Sequence, residues 1–165
     1  MRALMKTILA FSCLLSLLGC GSGKKPEGVP VSYEYRYNAT MAYYITWYQV
    51  EKDSTGVVRL SYSKDNNPEI TVLKAPSDLL EFIGRTAAEY KLHKLKDHYL
   101  PPFEVLDGYG WGIGIVYPED SIWSGGSNAW PGGKLAEGIN VINSRIQSII
   151  DASTEADILE KKMHI

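Results

Sequence analysis

One hundred and sixty-five residues suffice for one domain and are too few for two comfortable ones. With 45% hydrophobic and 22% charged residues and a mean hydropathy of -0.14, the composition is that of a globular chain, which excludes a disordered or collagen-like one. A net charge of -2 and an isoelectric point near 5.9 give no electrostatic footprint for nucleic acid, and no nucleic-acid partner is expected.

Residues 1–19 read as an export signal. Arg2 and Lys6 make a basic start, and Thr7 to Leu18 is an apolar run of only twelve residues. A spanning helix needs about 20 apolar residues, so the run fits a signal h-region instead. It ends in Leu17-Leu18-Gly19-Cys20. That ending resembles a bacterial lipobox. The resemblance implies a diacylglycerol thioether on Cys20, cleavage before it, and acylation of the new N-terminus. Two or three acyl chains hold a protein on a bilayer where one does not. The expected partner of Cys20 is therefore a membrane, reached without a protein span. Gly21 follows the cysteine in place of the acidic residue that retains some lipoproteins at the inner membrane, which implies the outer membrane and leaves the face open. Cys13 leaves with the signal, so the exported domain has no free thiol for disulfides, zinc or catalysis.

Residues 20–32 are the lipidated cysteine and a tether, since Gly21 to Ser32 mixes Gly, Ser, Pro and charge without period. Such a segment spans at most roughly 40 Å. Residues 33–160 form one domain. Tyr33 to Tyr37 alternates aromatic and charged residues, a strand with one wet face. Met41 to Val50 is apolar on both faces and predicts a central strand. After the polar turn Glu51 to Gly56, Val57 to Ser63 runs back, Asp65 to Pro68 turns, and Glu69 to Lys74 makes a fourth strand.

The period then changes. Leu79, Ile83 and Ala87 mark an amphipathic helix between Pro76 and Tyr90, with Asp78 and Glu81 spaced as a capping box. A short strand is expected at Phe103 to Leu106. Trp111, Ile113, Ile115 and Tyr117 alternate with Gly112, Gly114 and Val116, giving a strand with one bulky and one bare face. Lys134 to Ala152 is the strongest helix, with Leu135, Ile139, Ile142, Ile146, Ile149 and Ile150 on one side. A short terminal helix restarts at Ser153, and Lys161 to Ile165 is expected to fray. The sum is an α+β fold: an antiparallel sheet of about six to seven strands with two main helices packed on one face.

The densest unusual segment is Asp107 to Gly133, rich in glycine and tryptophan. It matches neither the P-loop pattern nor GxGxxG, and no cofactor is expected. Its candidate ligand- or partner-binding residues are Trp111, Trp123, Ser127, Asn128 and Trp130, because an exposed aromatic stacks on a sugar ring or a partner side chain. The competing expectation for Trp130 is a plug in the sheet–helix seam. His93 and His98 are spaced i, i+5 with no intervening Glu, so no metal site is expected. No GxSxG elbow frames Ser121, Ser124 or Ser127.

Asp107-Gly108 followed by Trp111, and then Gly125-Gly126-Ser127-Asn128-Ala129-Trp130-Pro131, resembles a group of small bacterial lipoproteins. The likeness runs from about Tyr33 to Ile158 and implies one domain on a lipid tether. It implies no activity, because none is established for that group. The expected function is a lipid-anchored envelope lipoprotein that acts as a binding module for a protein, peptide or glycan. The alternatives are an envelope hydrolase using His93 or His98 with a carboxylate, and a purely structural envelope protein.

Overall fold

The computed structural model describes residues 24–39, 44–64, 69–105 and 107–163. The segments expected to be an export signal and the turn 65–68, together with Cys20, residues 41–43 of the expected second strand and Leu106, lie outside them.

The fold is α+β. Strands β1 (Ser32–Ala39), β2 (Tyr44–Lys52), β3 (Val58–Lys64) and β4 (Glu69–Lys74) come first, followed by helix α1 (Leu79–Glu89) and the two-residue strand β5 (His98–Tyr99). Then come β6 (Tyr109–Val116), β7 (Ser121–Ser127), helix α2 (Gly133–Ala152) and β8 (Ile158–Met163). They form one eight-stranded sheet in the order β5-β7-β6-β1-β2-β3-β4-β8. Every pairing is antiparallel except β5 with β7. The sheet is thus larger than expected, and mixed.

Period-two alternation settles which face is buried. Tyr33, Tyr35, Tyr48, Val50, Val58, Leu60, Trp111, Ile113, Ile115 and Ile122 point to one side. There they meet Leu79, Leu80, Ile83 and Ala87 of α1 and Ile139, Ile142, Ile146 and Ile150 of α2, so both helices share that face as expected. Two tyrosines also tie the layers together by hydrogen bonds. The Tyr33 hydroxyl donates to Asn143 Oδ1 at 2.6 Å, and the Tyr48 hydroxyl donates to Gln147 Oε1 at 3.0 Å. Burial, reinforced by the neighbouring Tyr35 and Tyr48, pushes the Tyr33 hydroxyl well above its usual pKa and keeps it a donor.

Four expectations change. Asp78 does cap α1, but its side chain makes no cap bond, because its backbone (φ -90°, ψ 0°) lacks the extended geometry that aims an N-cap carboxylate at the first turn. Residues 103–105 form no strand; the edge pairing is made earlier, by His98 and Tyr99 against Gly125 and Gly126. The short terminal helix is a single 3-10 turn, Glu155–Asp157, and Lys161 to Met163 do not fray but continue as strand; residues 164 and 165 lie outside the described residues. A Thr154–Asp157 reciprocal lock closes one 3-10 turn, and β8 then pairs with the outer edge of β4, with a register shift between Val72 and Leu73. The turn after β2 begins at Asp53, since Glu51 and Lys52 remain in the strand. Asp53 Oδ1 accepts from the Thr55 hydroxyl and from the Thr55 and Val57 amides, and its Oδ2 accepts from Arg59 Nε. These bonds, the Thr55 hydroxyl first, hold its carboxyl well below the usual range.

The second half of the segment read as a tether is docked on the domain. Val31 N donates to Val116 O at 2.7 Å, extending the β1–β6 ladder. Pro30 is buried against α1 at Gly84, where an added Cβ would lie 2.6 Å from the proline Cδ.

Ile146 is fully buried between the helices and the sheet. The variant Ile146→Ala is expected to lose about 3 kcal/mol of stability and on the order of 10 °C in Tm, measured by thermal unfolding followed by circular dichroism.

Candidate functional site

The sheet face away from the helices is left open at its β7–β6–β1 part. Two rows of side chains cross it. In the first, Trp123, Gly114, Glu34 and Gln49 are directly paired across β7, β6, β1 and β2. In the second, Gly125, Gly112, Arg36 and Trp47 occupy the same strands. Neighbouring strands lie about 4.8 Å apart and the rows about 7 Å apart. The bare glycines sink the floor between bulkier neighbours. The result is a groove of about 310 Å³ lined by Glu34, Arg36, Asp97, Gly112, Gly114 and Trp123.

Trp123 lies across Gly114: an added Cβ there would come within 2.2 Å of the indole Cζ3. One ring face therefore rests on backbone, and Trp123 is still 50% exposed. On the far side, Trp47 Nε1 donates to Glu34 Oε1 at 3.2 Å and steadies that carboxylate. Arg36 is exposed and pairs with no described acid, so its guanidinium remains available. Asp97 is brought in from the sheet edge. Gly125 N donates to Asp97 O at 3.1 Å, and the buried Ser124 hydroxyl donates to Lys96 O at 2.6 Å, which pins the Lys96-Asp97 backbone beside β7. The arrangement offers one flat apolar surface beside two carboxylates and a guanidinium. Such a surface binds a flat ligand that is apolar on its face and hydrogen-bonding at its edge.

The five residues singled out from the sequence do not converge. Trp123 and Ser127 stand on the open face. Trp111 is 5% exposed on the helix face, where its Nε1 donates to Ala129 O at 2.7 Å. Its ring centroid lies 4.4 Å from that of Trp130 and 5.8 Å from that of Tyr99. Trp130 is partly buried and packs against the core. Asn128 has a left-handed backbone (φ 52°), and its Oδ1 accepts from Tyr109 N at 2.9 Å, so it shapes the end of the β6–β7 pair. Ser127 and Asn128 also border a second hollow, lined by Leu100, Pro101, Phe103 and Val105, with Leu100 and Phe103 well exposed.

Glu34, Arg36, Trp47 and Asp97 were missed. Glu34 and Arg36 were visible as the wet side of an alternating strand, but only the register brings them beside the glycines of β6. Asp97 stands out in the sequence only as a carboxylate beside His98, and its place in the groove depends on the β5–β7 contact.

His93 sits in a 3-10 turn, Leu92–Lys94, and His98 in β5. Neither imidazole hydrogen-bonds a described carboxylate, and among the described residues no three His, Cys, Asp or Glu side chains gather around a common point. Partial burial, then Lys94, Lys25 and Lys91, hold His93 below the usual imidazole pKa. Compared with known proteins, the chain matches no family model and no curated protein. Among the described residues, no helix is long and apolar enough to cross a membrane.

Two measurements check this geometry. Gly114→Ala is expected to lift Trp123 off the backbone, raising acrylamide quenching of its fluorescence while the far-ultraviolet spectrum stays unchanged. Lys25→Gln removes a positive charge near His93, so the His93 midpoint in an NMR titration is expected to rise. An unmoved midpoint would place Lys25 elsewhere.

Proposed function

We propose that this chain is a lipid-anchored envelope lipoprotein whose domain binds a glycan in the groove beside Trp123. The observation that carries the glycan reading is the Trp123 indole, seated on Gly114 with its outer face free, next to Glu34, Arg36 and Asp97. A pyranose has an apolar C–H face and a rim of hydroxyls. The indole takes the face, the carboxylates accept from hydroxyls, and the guanidinium donates to ring or hydroxyl oxygens. A protein hot spot calls for a desolvated apolar surround, and this groove is rimmed by exposed charge. Support for the anchor is the order of residues in the leader, a basic start, a twelve-residue apolar run and Leu-Leu-Gly-Cys. The docking of Pro30 and Val31 on the domain is consistent with a short link between lipid and fold.

The binding test is isothermal titration of the purified chain with oligosaccharides of three to six pyranose units, β-linked and α-linked. Trp123→Ala is expected to weaken binding by at least tenfold with Tm unchanged. Absence of heat with every oligosaccharide would overturn the glycan reading. For the anchor, Cys20→Ala is expected to abolish radiolabelled palmitate incorporation and to move the protein from the membrane to the soluble fraction.

A further inference from the structure

The groove beside Trp123 has an uneven floor, and the fold does not account for its lowest place. Two of the glycines beneath it are bare for reasons of packing. Trp123 lies on Gly114, where an added Cβ would meet the indole. At Gly125 an added Cβ would come within 2.9 Å of Trp111 O, a backbone atom that cannot step aside. Gly112 has neither reason. An added Cβ there would meet only Ser124 O, at 3.9 Å, which is ordinary van der Waals contact. Its backbone is plain strand without a positive φ, so a side chain could stand there unstrained. Glycine weakens the interior of a strand, and here no neighbour demands it. The space above Gly112 is open to a ligand.

The indole on Gly114 raises the floor at that end by about 3.5 Å, the contact distance of carbon atoms. Beside it, Gly112 and Gly125 leave a depression floored by backbone alone. Across the strands the order is Asp97, Gly125, Gly112, Arg36, since Gly125 N donates to Asp97 O and Gly112 pairs with both Gly125 and Arg36. Three strand spacings put about 14 Å between the Asp97 and Arg36 backbones, and both residues line the groove. The depression thus has an acceptor on one side and a donor on the other.

A sugar stacked on Trp123 would lower one substituent into it. A carboxylate would gain Arg36 but face Asp97 and Glu34, and an ammonium would gain the acids but face Arg36. A hydroxyl is too short to serve both walls. A secondary amide is planar and trans, with its N–H and C=O pointing to opposite sides. Its N–H donates to Asp97, its oxygen accepts from Arg36, and its flat face and methyl group lie on the glycine backbone.

We propose that the depression at Gly112 receives the acetamido group of a 2-acetamido sugar, so that the groove selects glycans built from N-acetylated hexosamine units. This rests on the glycan reading of the groove and adds the class of sugar. Gly112 is the position that sets the selectivity, with Asp97 and Arg36 as the two hydrogen-bonding walls.

The test is isothermal titration of the purified chain with β-linked tetramers of N-acetylglucosamine, of glucosamine and of glucose, which are identical except at the C2 substituent. The N-acetylated tetramer is expected to bind about tenfold more tightly than the glucose tetramer, the worth of one hydrogen bond to a charged group. Gly112→Val, with its fold checked by circular dichroism, is expected to remove that preference by filling the depression. Gly112→Ala and Arg36→Gln are each expected to reduce it. Equal affinity for the N-acetylated and glucose tetramers, tighter binding of the glucosamine tetramer, or a preference that survives Gly112→Val overturns the acetamido assignment. Heat with other oligosaccharides but none with the N-acetylated tetramer also overturns it and leaves the glycan reading standing. Absence of heat with every oligosaccharide overturns both.

Discussion

Two phenol hydroxyls decide how this molecule is layered. Tyr33 and Tyr48 reach from adjacent central strands to Asn143 and Gln147 on α2, one helical turn apart, and each hydroxyl finds an amide oxygen. Tyrosine supplies a large apolar body for the core and a polar tip that needs a partner. An unpaired hydroxyl at this depth would cost about 1 to 3 kcal/mol. The two bonds therefore restrict both the rotation of α2 about its axis and its position along the sheet. Among the described residues no buried side-chain donor or acceptor is left unsatisfied, so the seam is closed chemically as well as sterically.

Because both helices are committed to that one face, the other face is free to be chemically different. The alternation in β6 makes the difference sharp. Trp111, Ile113 and Ile115 fill the core, while the residues between them have no side chain. The same strand thus helps to build the hydrophobic centre and the floor of the groove. Trp111 and Trp123 illustrate the split. Both are tryptophans in one glycine-rich segment, yet one has its N–H satisfied and its ring sealed, and the other lies half in solvent on a glycine.

The legible part of this architecture was the part written in period. The strands from Tyr33 to Lys74, the bulky face of β6 and both helices follow from alternation or from i, i+4 spacing, because the buried faces are continuous in sequence. The illegible part depends on distant edges. β8 reads as Ile-Leu-Glu-Lys-Lys-Met, weak for any element, and becomes a strand only because β4 offers it an unpaired ladder. β5 is two residues held by glycines 27 positions further on. Asn143 and Gln147 lie off the apolar stripe of α2, but nothing local shows that tyrosines long enough to reach them stand opposite. For the site, the aromatic half was readable from Trp123 and the charged half was not, since Glu34 and Arg36 of β1 and Asp97 before β5 come from two separate stretches that only the strand order assembles.

The last strand has a further consequence. β4 is largely apolar, with Ile70, Val72 and Leu73 buried, and its outer rim is masked only by β8, whose exposed Glu160, Lys161 and Lys162 are poor company for another sheet. Proteolytic nicking after Asp157 would strip that charged selvage and bare a row of peptide groups beside greasy side chains. The trimmed molecule would then polymerise rim to rim, so the integrity of six residues at the end of the described chain guards against clumping.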